Sequence, residues 1–456
     1  MEKLKGDKGI NMTEGNIPKM VFKFAIPTMF QSLVMVFNQL MVAILAGRCI
    51  GAVALGAVAI SMPIVFIINS VAMGTTQANA ILIAQAYGRR DFKEVKRIID
   101  TSFLTLMGVC IIMVTLGICL SGPLLHLIKT PEEIFQPART YFVLHLVGVP
   151  FLFTQFLFFS SFRGVGNASR PMWLSFLSVG LNVCLLPLFI TGVFGLPKWG
   201  IMGLGITDII INIVMFTIIF VIMKVENSII IPHVIHPEYV PERAKMLVQI
   251  GFPSMIQQVL LNASVLFIIS LVNSYGATVT EGYGVASRID GVIFALAGAF
   301  NMSVSIIAGQ NLGVEKYDRV SQSALWGMLY GLLVTIIPAL VAIFYPEVLI
   351  KIFTNDPGVI EVGCGYLRIS GINLLLIVIH QSFAGIPMAA GQTYIALIMT
   401  ILATCAVRVP VAYMLNNKIG VTGIWWSHPI GSCVAIVVIL IYIFSGKWKV
   451  KNLIKN

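Results

Sequence analysis

The stretch from Glu281 to Val320 reads EGYGVASRIDGVIFALAGAFNMSVSIIAGQNLGVEKYDRV. Its apolar middle is long enough for one membrane crossing, which takes about 20 residues. Near one end it carries Arg288, Ile289 and Asp290; at the other a Gly-Gln-Asn-Leu-Gly turn runs into a charged loop. Charge inside a membrane segment is expensive and marks a functional site by default. The functional question therefore reduces largely to what Arg288 and Asp290 do there.

The rest of the chain is of the same kind. Of its 456 residues, 58% are hydrophobic and 11% charged, against about 25% charged in soluble domains. The mean hydropathy is +0.93. A polytopic membrane protein follows. The net charge of +11 sits in the loops, so it reads as a topology signal and an attraction to lipid headgroups, not as a nucleic-acid surface. The polar, lysine-bearing start and the long first apolar run argue against a cleavable signal peptide. Seven cysteines (49, 110, 119, 184, 364, 405 and 433) lie scattered, mostly in apolar segments, without paired spacing. That pattern suits small buried residues, not a metal site or disulfide framework. No nucleophile and base pair, metal-ligand spacing or phosphate loop is present, so neither an enzyme nor a cofactor is expected.

Twelve spans can be marked, near 21–46, 52–84, 98–121, 138–160, 171–192, 200–223, 245–273, 283–309, 320–345, 361–385, 393–415 and 421–445. With the N-terminus inside, the inner loops hold 21 lysines and arginines and the outer loops 6, with Arg288, Arg368 and Arg408 inside spans. This bias predicts a cell-membrane protein with both termini cytoplasmic.

The chain reads as duplicated. Gly51-Ala52 matches Gly276-Ala277, Gln85 and Gly88 match Gln310 and Gly313, Tyr141 matches Tyr366, and Gly166 matches Gly391, all at an offset of 225. Aligning 50–95 with 275–320 gives nine identities in 46 positions. The expected organisation is a cytoplasmic segment 1–20, a six-helix lobe 21–223, a cytoplasmic linker 224–245, a second lobe 246–445 and a basic cytoplasmic tail 446–456. Both halves insert the same way up, with a site between them.

Several stretches resemble the multidrug and toxic compound extrusion (MATE) family: AIPTMFQSLV (25–34), AQAYGRRD (84–91), FRGVGNASRPM (162–172), LNVCLLPLFI (181–190), GFPSMIQQ (251–258), RID (288–290) and AGQNLGVEKYDRV (308–320). The resemblance covers nearly the whole chain. It implies an all-α integral membrane fold of twelve helices in two pseudo-symmetric six-helix bundles, V-shaped. It also implies an antiporter that expels small organic compounds against inward flow of protons or sodium. The chain departs from the family at its acids. Val42 stands where many members carry a first-helix aspartate, and Leu186 where many carry one in the fifth helix, although Asn182 remains; 251–264 holds no acid.

Two acids lie well inside spans, Asp290 and Asp208, and both are candidates for ion coupling. Asp290 is read either as the protonatable or cation-binding group or as the counter-ion of Arg368 or Arg408. It shares a helix face with Phe294, Ala297 and Asn301, which Asn262 and Asn273 are expected to join. Asp208 lies one turn from Asn212 and at the depth of His145, with which it is expected to share a proton. Gln77, Asn182, Asn262, Asn301, His145, Arg288, Arg368 and Arg408 are the candidate cavity-lining set. The functional expectation is a monomeric exporter in membrane lipid, coupled to protons or sodium, for small amphipathic and cationic compounds. The alternative is an exporter of an anionic metabolite or lipid-linked substrate through the layer of Arg288, Arg368 and Arg408.

Overall fold

The computed structural model describes residues 9–192, 199–233, 237–449 and 453. The expected outer-loop Lys198, the first 8 residues and all but one of the last 7 lie outside that description. Among the described residues, twelve helices are long and apolar enough to cross a membrane. Lipid offers no hydrogen-bond partner, so each crossing segment must satisfy its backbone internally, and helix is the form that does so.

In chain order the elements are α1 (Ile17–Cys49), α2 (Ala52–Gly88), α3 (Phe92–Cys119), the short α4 (Ser121–Leu127), α5 (Glu132–Gly164), α6 (Ser169–Thr191) and α7 (Ile201–Val225). The second half has α8 (Pro241–Asn273), α9 (Ala277–Gly313), α10 (Tyr317–Phe344), the short α11 (Pro346–Ile350) and α12 (Pro357–Ala389). It ends with α13 (Thr393–Thr400), a π-helical stretch Ile401–Arg408, α14 (Val409–Ile419) and α15 (Val421–Phe444). Pro410 explains the π-helical stretch. Its ring displaces the carbonyl one turn back and it offers no N–H, so the backbone just before it widens.

The duplication is written into the backbone. Both ends of α2 and α9, of α3 and α10, and of α5 and α12 differ by 225 positions. Left-handed residues recur at the same offset: Gly51 (φ 107°) with Gly276 (φ 93°), and Arg90 (φ 62°) with Glu315 (φ 57°). Gly51 and Gly276 start α2 and α9 from a conformation that a Cβ would strain.

The chain forms two compact units. One comprises residues 1–10 and 34–252, the other residues 11–33 and 253–456. The boundaries fall inside α1 and α8 instead of at the ends of the 224–245 linker, so each repeat lends the start of its first helix to the other unit. Each start is clasped by hydrogen bonds. In the second unit the Met12 N–H donates to Gln310 (2.8 Å), Asn311 Nδ2 donates to the Met12 carbonyl (3.1 Å) and Arg319 Nη1 to the Gly15 carbonyl (3.0 Å). In the first, the His233 N–H donates to Asp100 (2.8 Å) and Arg243 Nε to Glu94 (2.5 Å). Glu94 and Arg319 stand at matching positions, so one place in the repeat holds the incoming segment in both units with opposite charges.

Candidate functional site

The two intramembrane acids sit in different units, and the same two positions of the repeat face both, bonding Asp290 together and Asp208 through one of them. In the second unit, α12 packs on α9 and presents Tyr366 and Ser370, one turn apart, to Asp290. The Tyr366 hydroxyl donates to Oδ2 (2.8 Å) and the Ser370 hydroxyl to Oδ1 (2.6 Å). Adding 225 to Tyr141 and His145 gives these two residues. In the first unit Tyr141 stacks on His145 (centroids 6.4 Å apart), and His145 Nδ1 lies 3.0 Å from Asp208 Oδ2 on α7. The expected proximity of His145 and Asp208 is therefore observed.

The counter-ion reading of Asp290 narrows to Arg408, which acts on its charge from beyond direct ion-pair distance. Among the described residues Asp290 makes no ion pair; its bonded partners are the two hydroxyls. The reason is helical phase. Residues four apart share a face, whereas residues two apart point about 200° away. Arg368 lies between Tyr366 and Ser370, and Arg288 lies two before Asp290, so both turn outward and are exposed. Arg368 instead lines a cavity of about 650 Å³ with Glu347, Lys351 and Glu361. There the hydrogen bond from Lys351 holds the Glu347 carboxyl below its usual range. Arg408, at the end of the π-helical stretch, hydrogen-bonds His428 on α15. Arg288 and Arg368 thus stand apart from Asp290, and of the three arginines Arg408 is the one that acts on its charge.

Asp290 borders an aromatic cluster. Tyr283 stacks on Trp425 (centroids 5.4 Å apart, planes 4° apart). Tyr366 meets Trp425 edge-on at 5.0 Å and Tyr283 at 5.3 Å. Each such pair contributes about 0.5–1.5 kcal/mol beyond its buried area. Fixing the Tyr366 ring in this way aims its hydroxyl.

The other expected residues spread out. Asn301 Nδ2 donates to the Gln381 carbonyl on α12 (2.7 Å), tying α9 to α12. Asn262 does not join Asp290: it is exposed and donates back to the Gln258 carbonyl of its own helix (2.8 Å). Asn273 does not join it either and accepts from Thr280. Gln77 is half-buried on α2. The Asn182 side-chain oxygen is buried without a protein partner. Val42 and Leu186 pack into one apolar cluster with Val58, Ile190 and Leu204, flanked by Tyr141. Tyr366 and Ser370 were missed as partners of Asp290, although the repeat offset applied to Tyr141 and His145 gives both numbers.

A duplicated twelve-helix membrane fold with one clamped acid in each unit defines the class. The MatE family model matches residues 27–188 and 253–414, two blocks whose starts lie 226 positions apart, close to the offset read from the sequence. The chain belongs to the MatE family of membrane transporters. It is 26% identical over 437 residues to the "Probable multidrug resistance protein YoeA" of Bacillus subtilis, covering 94% of each chain. It is 28% identical over 456 residues to YpnP of the same organism, likewise called a probable multidrug resistance protein, covering 98% of this chain and 99% of that one. The crystal structure of the Vibrio cholerae MATE transporter VcmN in the bent form superposes with a TM-score of 0.86 at 22% identity, over 95% of this chain and 99% of that one. That likeness shows the fold.

Proposed function

We propose that the protein is a cation-coupled antiporter of the cell membrane, with both termini cytoplasmic, that exports small amphipathic organic cations by alternating access. It acts as a monomer and needs only its coupling ion, a proton or sodium. The names of the relatives support the export of varied compounds, and the loop lysines and arginines support the orientation.

The observation that carries the reading is Asp290 held by two hydroxyls (2.8 and 2.6 Å) with no ion-pair partner among the described residues. A guanidinium only donates and would lock the carboxylate in its charged state. A hydroxyl donates or accepts, so the Tyr366 and Ser370 clamp accommodates the acid with or without a proton. An acid that exists in both states inside a membrane segment is what a coupling cycle requires.

The test is gradient loss in inverted vesicles that start acid inside. Adding organic cations should dissipate the pH gradient, and Asp290→Asn should abolish that response while leaving expression intact. A response that needs sodium in place of the proton gradient would assign the coupling ion as sodium. Dissipation by organic anions alone would overturn the cationic reading and return attention to the exposed Arg288 and Arg368.

A further inference from the structure

The second acid carries an inference of its own, which rests on the antiport reading. We propose that His145 and Asp208 form a second proton-binding site, in which an imidazole and a carboxylate together take up one proton and release it during each transport cycle.

The geometry is local and complete. His145 Nδ1 lies 3.0 Å from Asp208 Oδ2; the histidine side chain is 10% exposed and the aspartate 39%. A carboxylate accepts only, so Nδ1 carries the hydrogen toward Asp208 and Nε2 is left as the basic nitrogen. Nε2 is buried and has no protein partner. A proton arriving there converts imidazole to imidazolium, and the pair passes from one negative charge to neutral. Its departure restores the starting state. Nothing else is consumed.

The repeat shows why this site differs from that of Asp290. The same place on the clamping helix is serine in one unit and histidine in the other. A serine hydroxyl does not titrate near neutrality, whereas imidazole changes charge between about pH 5 and 8. At this place the first unit therefore carries an imidazole where the second carries a hydroxyl.

The surroundings leave that charge to the pair. On its own helix His145 is stacked by Tyr141. Across the interface with α7, Asn212 lies one turn beyond Asp208 and its amide nitrogen is buried without a partner. From α2 no titratable side chain precedes Tyr87, and α6 offers only Cys184 beyond Arg170, which pairs with Glu226. On α3 the charged residues end at Asp100, leaving Cys110 and Cys119, and on α4 His126 packs against Phe135. The same chemistry disfavours sodium here. Hard cations take several oxygen ligands, whereas one of the two groups here is an imidazole.

The test uses purified full-length protein and does not depend on transport. Proton uptake between about pH 8 and pH 5 is titrated in wild type, His145→Gln, His145→Ser and Asp208→Asn, with unfolding temperature confirming that each variant folds. Wild type should bind about one proton more than either His145 variant. His145→Ser, which copies the second unit, should fold and lose that proton. In vesicles the His145 variants should move fewer protons for each compound exported and show a flatter pH profile, and Asp208→Glu, which keeps the carboxylate, should keep the wild-type profile. Equal proton uptake in wild type and His145→Gln would overturn the proposal and leave the pair as a fixed interhelical hydrogen bond. If the titration shows the extra proton but no compound dissipates a gradient, the antiport reading fails while the proton site stands.

Discussion

Asp290 and Asp208 answer the same problem, an acid inside a membrane helix, in two ways. The positions turned to the acids are the same in the two repeats, 141 and 145 against 366 and 370, although both bond the acid in the second and His145 alone does so in the first. The acids are not at matching positions. Asp290 stands on α9, and its counterpart in the first repeat is Val65; Asp208 stands on α7, whose start at Gly200 matches that of α15 at Gly420, so its counterpart in the second is His428. The repeat thus preserved the helix that presents polar groups and left the acid free to enter from either neighbouring helix. Backbone geometry, including the left-handed residues at Arg90 and Glu315, followed the duplication more closely than chemistry did.

The largest effect should come from forcing an acid into the apolar cluster of the first unit. Leu186 is 2% exposed and packs with Val58 and Ile190. An uncompensated charge there costs several kcal/mol even after relaxation, roughly 3–5 kcal/mol. Leu186→Asp should sharply lower the unfolding temperature of the purified protein, and a neutral outcome would mean that the cluster admits water.

A smaller effect separates the two clamps. Tyr366→Phe removes one hydrogen bond to a carboxylate, worth about 1.5–3 kcal/mol, so exchange should fall by roughly 10- to 100-fold. Tyr141→Phe should change exchange far less, because Tyr141 stacks on His145 and the contact to Asp208 is made by the imidazole. Equal losses would erase the distinction between the sites.

The smallest effect concerns the arginines. Arg368→Ala should leave unfolding within about 0.5 kcal/mol of wild type, as surface changes do, and should leave Asp290-dependent exchange intact. A large loss of exchange would revive Arg368 as the counter-ion.

The fold was legible because lipid imposes it. Apolar runs of crossing length can only be helices, and the pairs Gly51 with Gly276 and Gly166 with Gly391 exposed the duplication. The left-handed turns at Arg90 and Glu315 were not legible, since neither residue type announces that conformation. The His145 and Asp208 pair was readable from matching depth on two helices. The partners of Asp290 were not, because depth says nothing about which way a side chain faces. Arg368 lies at the right level but on the wrong side of α12, and only the packing of α12 on α9 selects Tyr366 and Ser370 over it.

The central claim is that Asp290 is an exchangeable acid and not a locked counter-ion. Infrared difference spectra of the purified protein, recorded while the pH is stepped, report directly on carboxyl protonation. The account predicts a protonated-carboxyl band that appears and disappears reversibly with pH, is absent in Asp290→Asn and persists in Arg368→Ala. A spectrum without any titrating band assignable to Asp290, with Arg368→Ala creating one, would contradict it.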